Sequence, residues 1–128
     1  MARILLIEDN EDDIELVRRA CDRLVPGNRL VVARDGAQAL EALGDSNPDF
    51  SLILIDLNLP KVSGLDVLRD IRKRPQTRET PVVIISVSRS EPDLLQAFAM
   101  GAKDFVIKPI AFEVFSKICR PYLDAPGG

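Results

Sequence analysis

Five short apolar runs recur along the chain: ILLI at 4–7, LVV at 30–32, LILI at 52–55, VVII at 82–85 and FVI at 105–107. None alternates apolar with polar, so each predicts a strand covered on both faces. Between the runs the apolar period lengthens. Ile14, Val17, Cys21 and Leu24 recur at helical spacing, and so do Leu65, Leu68 and Ile71. Leu94, Leu95 and Phe98 form a further set, as do Phe112, Phe115, Ile118 and Cys119. A short helical stretch at 37–43 completes an alternation of five strands with five helices. That alternation predicts an α/β fold with a parallel sheet, right-handed crossovers and helices on both faces.

The punctuation agrees. Asn10 precedes an acidic first turn, Glu11, Asp12 and Asp13, as suits a helix N-terminus. Pro92 behind Ser90 and Glu91 marks another helix start, and Gly101 follows that helix's last turn. Asp35-Gly36, Pro48, Pro75 and Pro81 mark loops or element starts. Pro121 falls inside the last helical pattern and predicts that this helix ends or kinks just before it. The domain is expected to span residues 1–123, with DAPGG at 124–128 as a short tail.

The 128 residues suit one domain, and a hydrophobic fraction of 46% excludes a disordered chain. The net charge of −3 argues against a sequence-independent grip on nucleic acid. The most basic stretch, DIRKRPQTRE, reads as a solvated helix end and loop. No histidine is present, which removes Ser–His and Cys–His nucleophile pairs and histidine-bearing zinc sites. Cys21 and Cys119 lie among apolar helical positions and read as a reduced, packed pair. The N-terminus is too short for a signal peptide and nothing approaches a membrane span, so the expected location is the cytoplasm.

Ligands of such sheets bind beyond the carboxyl ends of the strands, at a topological switch point. The first run ends in Glu8-Asp9, the third in Asp56, the fourth in Ser86 and the fifth in Lys108-Pro109. If those strands are neighbours, three carboxylates, a hydroxyl and an ammonium converge on one rim. Three close carboxylates need a cation, and oxygen ligands without sulfur or imidazole point to Mg²⁺ or Mn²⁺. A metal, a lysine and a hydroxyl together suit a dianionic phosphoryl group, and Asp56 is placed to receive it.

The ordered set LLIEDN, LIDLNLPKVSG, PVVIISVS and FVIKP resembles the receiver domain of two-component response regulators (CheY-like), from Arg3 to about Ile118. The resemblance implies a flavodoxin-like, doubly wound sheet of order 2-1-3-4-5 with five flanking helices. It implies that Asp56 is the phosphoacceptor and that Glu8, Asp9 and Asp56 hold Mg²⁺, with the Asn58 backbone carbonyl as a further ligand. Ser86 would turn toward the phosphoryl group, Phe105 would occupy the space it leaves, and Lys108 would pair with the phosphoryl oxygens. Pro60 and Gly64 would shape the loop beyond Asp56, and Lys108-Pro109 would be a cis peptide. The face made by the fourth helix, fifth strand and fifth helix would then change shape for a partner.

The resemblance implies a chain that would catalyse its own phosphorylation and dephosphorylation, yet would be primarily a switch. EDNEDD, ARDG and DLNLP look most like the stand-alone regulators of phytochrome-type kinases. The partners implied are a sensor histidine kinase or phosphotransfer protein, a downstream protein target and a homodimer, with neither nucleic acid nor membrane. Val87 stands where receivers usually carry a small residue, Phe105 replaces a frequent tyrosine, and Pro121 questions the output face.

Two other readings compete. One is a constitutive docking module of the same fold that no longer cycles phosphate, encouraged only by Val87. The other is an aspartyl-nucleophile phosphatase of the haloacid dehalogenase type. There the second residue after the nucleophile is an acid–base aspartate, whereas here it is Asn58.

Overall fold

The computed structural model describes residues 2–44, 49–88 and 90–123. Along these run β1 (Arg3–Ile7), α1 (Glu11–Leu24), β2 (Arg29–Ala33), α2 (Gly36–Leu43) and β3 (Leu52–Asp56). They continue as α3 (Gly64–Lys73), β4 (Val82–Ser86), α4 (Pro92–Ala99), β5 (Asp104–Ile107) and α5 (Phe112–Leu123). Every apolar run is a strand. The strands pair in parallel in the order β2-β1-β3-β4-β5. The chain therefore leaves β1 toward one edge and returns to the other side of it, which puts the switch point between β1 and β3.

Alternate strand residues feed two separate cores. Leu5, Ile7, Ile53, Ile55, Val82 and Ile84 pack with residues of α2, α3 and α4 on one face. Ile4, Leu6, Leu52, Leu54, Val83, Ile85 and Val106 pack with α1 and α5 on the other. The central strands β3 and β4 are buried throughout, as continuous apolar runs require. The run at 30–32 differs from expectation. Leu30, Val31 and Val32 are only half-buried, because β2 is an edge strand with incomplete cover.

The helix signals hold at the N-termini. Asn10 caps α1 by accepting the Asp13 N–H at 2.9 Å, Asp35 caps α2 at Gln38, and Ser63 caps α3 at Asp66. Gly101 adopts a φ of +89° past the end of α4. Cys21 and Cys119 are free and buried, and burial pushes the Cys21 thiol up to about 12. No helix among the described residues is long and apolar enough to cross a membrane.

Three further expectations are corrected. The final helix does not end before Pro121, because α5 continues through it to Leu123. The proline removes one N–H close to the helix end, while buried Leu123 keeps the last turn packed. Leu95 is not part of the inner stripe of α4. Leu94 and Ala97 are the buried pair, and Leu95 is 79% exposed.

The third correction concerns the basic stretch, which is not wholly solvated. Arg72 Nε donates to Met100 O at 2.9 Å and Nη2 to Gly101 O at 3.2 Å. Its Nη1 lies 3.3, 3.1 and 2.9 Å from the carbonyl oxygens of Thr77, Arg78 and Thr80. One guanidinium thus ties the end of α3 to two loops. Pro48 and the tail at 124–128 lie outside the described residues.

Candidate functional site

Buried apolar strands leave polar side chains to their ends, and the in-register parallel pairing brings the carboxyl ends together. Ile7 pairs with Ile55 and Asp56 with Ile85, so Glu8 follows β1 directly beside the end of β3. Ser86 pairs with Ile107, which places Lys108 one residue beyond, its N–H donating to Ser86 O at 2.9 Å. The Lys108-Pro109 peptide is cis.

The carboxylates of Glu8, Asp9 and Asp56 offer oxygens all within 4.8 Å of one another. Glu8 and Asp56 are buried and Asp9 is exposed. Glu8 Oε2 accepts the backbone N–H groups of Asp9 at 3.0 Å and Asn10 at 3.3 Å. Asp56 Oδ1 accepts the Asn58 N–H at 2.9 Å, and Asp56 Oδ2 accepts from Lys108 Nζ at 3.1 Å. Lys108 Nζ also makes ion-pair contacts of 2.8 Å to Glu8 Oε1 and 2.9 Å to Asp13 Oδ2.

The charges do not balance. A single ammonium faces three carboxylates, with Asp9 alongside. Burial, followed by the nearby Asp56 carboxylate, raises the Glu8 carboxyl from 4.5 to about 7 despite the opposing pull of Lys108. Burial on its own would lower the Lys108 ammonium, but the bonds to Glu8, Asp13 and Asp56 outweigh it and hold the group raised.

A hard divalent cation fits this donor set. The carboxylates of Glu8, Asp9 and Asp56 crowd together with one ammonium to face them, and the ligands are oxygens only. Glu8, Asp9 and Asp56 are the residues that would hold it. At Asn58, the described contact is made by the N–H rather than by the carbonyl.

Ser86 and Phe105 sit nearby in other company. The buried Ser86 hydroxyl donates to Ser88 O at 2.8 Å and accepts the Ser88 N–H at 3.2 Å. Phe105 is half-buried against the core and meets Phe98 edge-on, with centroids 6.0 Å apart. Val87 is exposed on the loop after β4. Gly64 starts α3 against the end of β3, and its N–H donates to Leu57 O at 3.3 Å.

Sequence reasoning missed Asp13 as a member of the site. It was read as one acid of a helix's first turn, yet it reaches across to Lys108 from α1. Its position one turn along from Glu8-Asp9, on the side of Ile14 and Val17, was the available signal.

A doubly wound parallel sheet with an acidic cluster and a lysine at its switch point belongs to the class of α/β proteins whose ligands bind beyond the carboxyl ends of the strands. Within that class the chain belongs to the response regulator receiver domain family, which it matches over residues 4–120.

It is 40% identical over 116 residues to the probable methanogenesis regulatory protein FilR2 of Methanothrix harundinacea (strain 6Ac), covering 86% of this chain and 74% of that one. It is 33% identical over 110 residues to the response regulator Rcp1 of Synechocystis sp. (strain ATCC 27184 / PCC 6803 / Kazusa), covering 82% and 75%. The structure of the Mn²⁺-bound form of Rcp1 superposes with a TM-score of 0.82 at 28% identity, covering 98% and 96%. That of the bacteriophytochrome response regulator AtBRR gives 0.79 at 39% identity, covering 97% and 93%.

Proposed function

We propose that this receiver domain, residues 1–123, accepts a phosphoryl group on Asp56 from a histidine kinase and so switches a protein-interaction surface. The observation that carries the reading is the convergence on Asp56: Lys108 Nζ at 3.1 Å, and two further carboxylates within 4.8 Å. An Asp56 oxygen attacks phosphorus, forming a P–O bond as the P–N bond of a phosphohistidine breaks. The imidazole leaves with the electron pair and takes up a proton. Glu8, Asp9, Asp56 and the Asn58 backbone carbonyl would hold Mg²⁺, or Mn²⁺ in its place, which would neutralise the developing phosphoryl charge. Lys108 then holds a phosphoryl oxygen.

Replacing a carboxylate of charge −1 by an acyl phosphate of nearly −2, with its extra oxygens, at a buried position has to be answered by movement. The Ser86 hydroxyl, satisfied by Ser88 at rest, turns to the phosphoryl group. Phe105 follows into the space released, and the surface made by α4, β5 and α5 changes with it. The same residues then assist hydrolysis, in which a water oxygen attacks phosphorus as the P–O bond to Asp56 breaks, returning the carboxylate and releasing inorganic phosphate and a proton, so the protein catalyses its own cycle while serving as a switch. Likeness to the bacteriophytochrome response regulator AtBRR supports a phytochrome-type sensor kinase as donor, with a phosphotransfer protein as the alternative. The output is a downstream protein target or a second copy of the chain rather than nucleic acid or membrane, and the location is the cytoplasm.

The test is titration with beryllofluoride in the presence of Mg²⁺, followed by backbone amide NMR. Saturable shifts at Ser86, Phe105 and Lys108 in the native chain, absent from Asp56→Asn, are the expected result. No saturable shift in the native chain overturns the reading and favours a constitutive docking module.

A further inference from the structure

Lys108 has three carboxylate partners, and they are not equivalent. Glu8 and Asp56 belong to the cluster whose oxygens lie within 4.8 Å of one another, and Asp13 stands outside it. On the proposed reaction path, Asp56 becomes an acyl phosphate, and Glu8 is among the residues that would hold the cation. Both of their contacts with Lys108 are therefore altered during the cycle. Asp13 Oδ2, at 2.9 Å from Nζ, is the partner that undergoes no chemistry.

Asp13 is also well held. Its backbone N–H is fixed by the Asn10 cap at 2.9 Å, and Ile14 N–H closes the first turn on Asn10 O at 2.9 Å. Its side chain and that of Lys108 are 15% and 16% exposed, so the pair is largely shielded from water and from screening salt. A lysine ammonium on a flexible four-carbon stem needs such a fixed partner if it is to stay in one place.

We infer that Asp13 is a positioning residue for Lys108, keeping its ammonium over the phosphoryl-accepting end of Asp56 in both the resting and the phosphorylated chain. This rests on the proposed function of Asp56. The plainer role, an acid favoured in the first turn of a helix, would appear in stability alone.

The experiment combines two readouts on the full chain, native and with Asp13→Ala or Asp13→Asn. The first is the ¹H–¹⁵N signal of the Lys108 ammonium, assigned by its loss in Lys108→Met. The second is the rate of adduct formation with acetyl phosphate at saturating Mg²⁺. The native chain is expected to give a slowly exchanging ammonium signal. Asp13→Ala should lose it and react about tenfold more slowly, with Asp13→Asn, which keeps the side-chain shape and an acceptor oxygen, in between.

A variant that keeps both the signal and the native rate overturns the inference and leaves the function of Asp56 standing. Absence of the ammonium signal from the native chain overturns it as well. If the native chain forms no adduct, the proposed function itself fails. The ammonium signal alone then decides, and its survival in Asp13→Ala or Asp13→Asn overturns the positioning role.

Discussion

Gly64 lies so close to the backbone of Asp56 that a Cβ on it would stand 2.5 Å from the Asp56 carbonyl oxygen and 2.8 Å from Leu57 Cα. The obstacle is backbone at the end of a central, buried strand, which cannot shift aside cheaply. Gly64→Ala is therefore expected to destabilise the fold by about 1–3 kcal/mol. It should also displace the end of β3 that presents Asp56. Urea unfolding followed by circular dichroism checks the first effect. A native-like midpoint would show that the α3–β3 contact is looser than described here.

Glu8 makes stability depend on pH. Its carboxyl ionises near 4.5 in the unfolded chain and at about 7 in the folded one, chiefly because it is buried. Between those values the folded state holds a proton that the unfolded state has released. The contribution is thus complete below about pH 4.5 and is lost as pH rises through about 7. Without divalent metal, the native chain should lose stability across this window relative to Glu8→Gln. At pH 8 the variant should be the more stable, by on the order of 2 kcal/mol. Added Mg²⁺ should reverse the order, since it favours the ionised carboxylate that glutamine lacks. Thermal melts from pH 4.5 to 8, with and without Mg²⁺, read both effects.

Arg72 is a structural arginine in a stretch that looks like a charged loop. Its guanidinium meets five carbonyl oxygens, from Thr77, Arg78, Thr80, Met100 and Gly101. Removing it leaves several of these without a partner. Arg72→Ala should cost about 2 kcal/mol or more in urea unfolding. Arg72→Lys should recover little, because a point charge on a flexible stem cannot reproduce the planar fork. Full recovery by lysine would contradict the carbonyl-binding account.

These residues also mark where the sequence could be read and where it could not. The strands were legible because burial on both faces leaves no polar position in the run, and Asp56 and Ser86 stood out as the first polar residues after it. Asn10 and Asp35 were legible because their caps act within three residues. Arg72 was not, since its partner Met100 lies 28 residues away and a carbonyl oxygen leaves no trace in residue identity.

Asp13 was hidden by its second role, because an acid in a first helical turn already has a sufficient local explanation. Pro121 misled for the opposite reason. Its local signal is strong, but one missing N–H near a helix end is outweighed by the packing of Leu123. Leu95 was assigned inward from spacing alone, whereas α4 has only eight residues and buries Leu94 and Ala97.

The central claim is that Asp56 accepts a phosphoryl group. Its most direct test is the intact mass of the native chain and of Asp56→Asn after incubation with acetyl phosphate and Mg²⁺. One phosphoryl adduct on the native chain, lost when Mg²⁺ is chelated beforehand and absent from Asp56→Asn, is the result expected. An adduct of equal yield on Asp56→Asn, or none on the native chain, would contradict it.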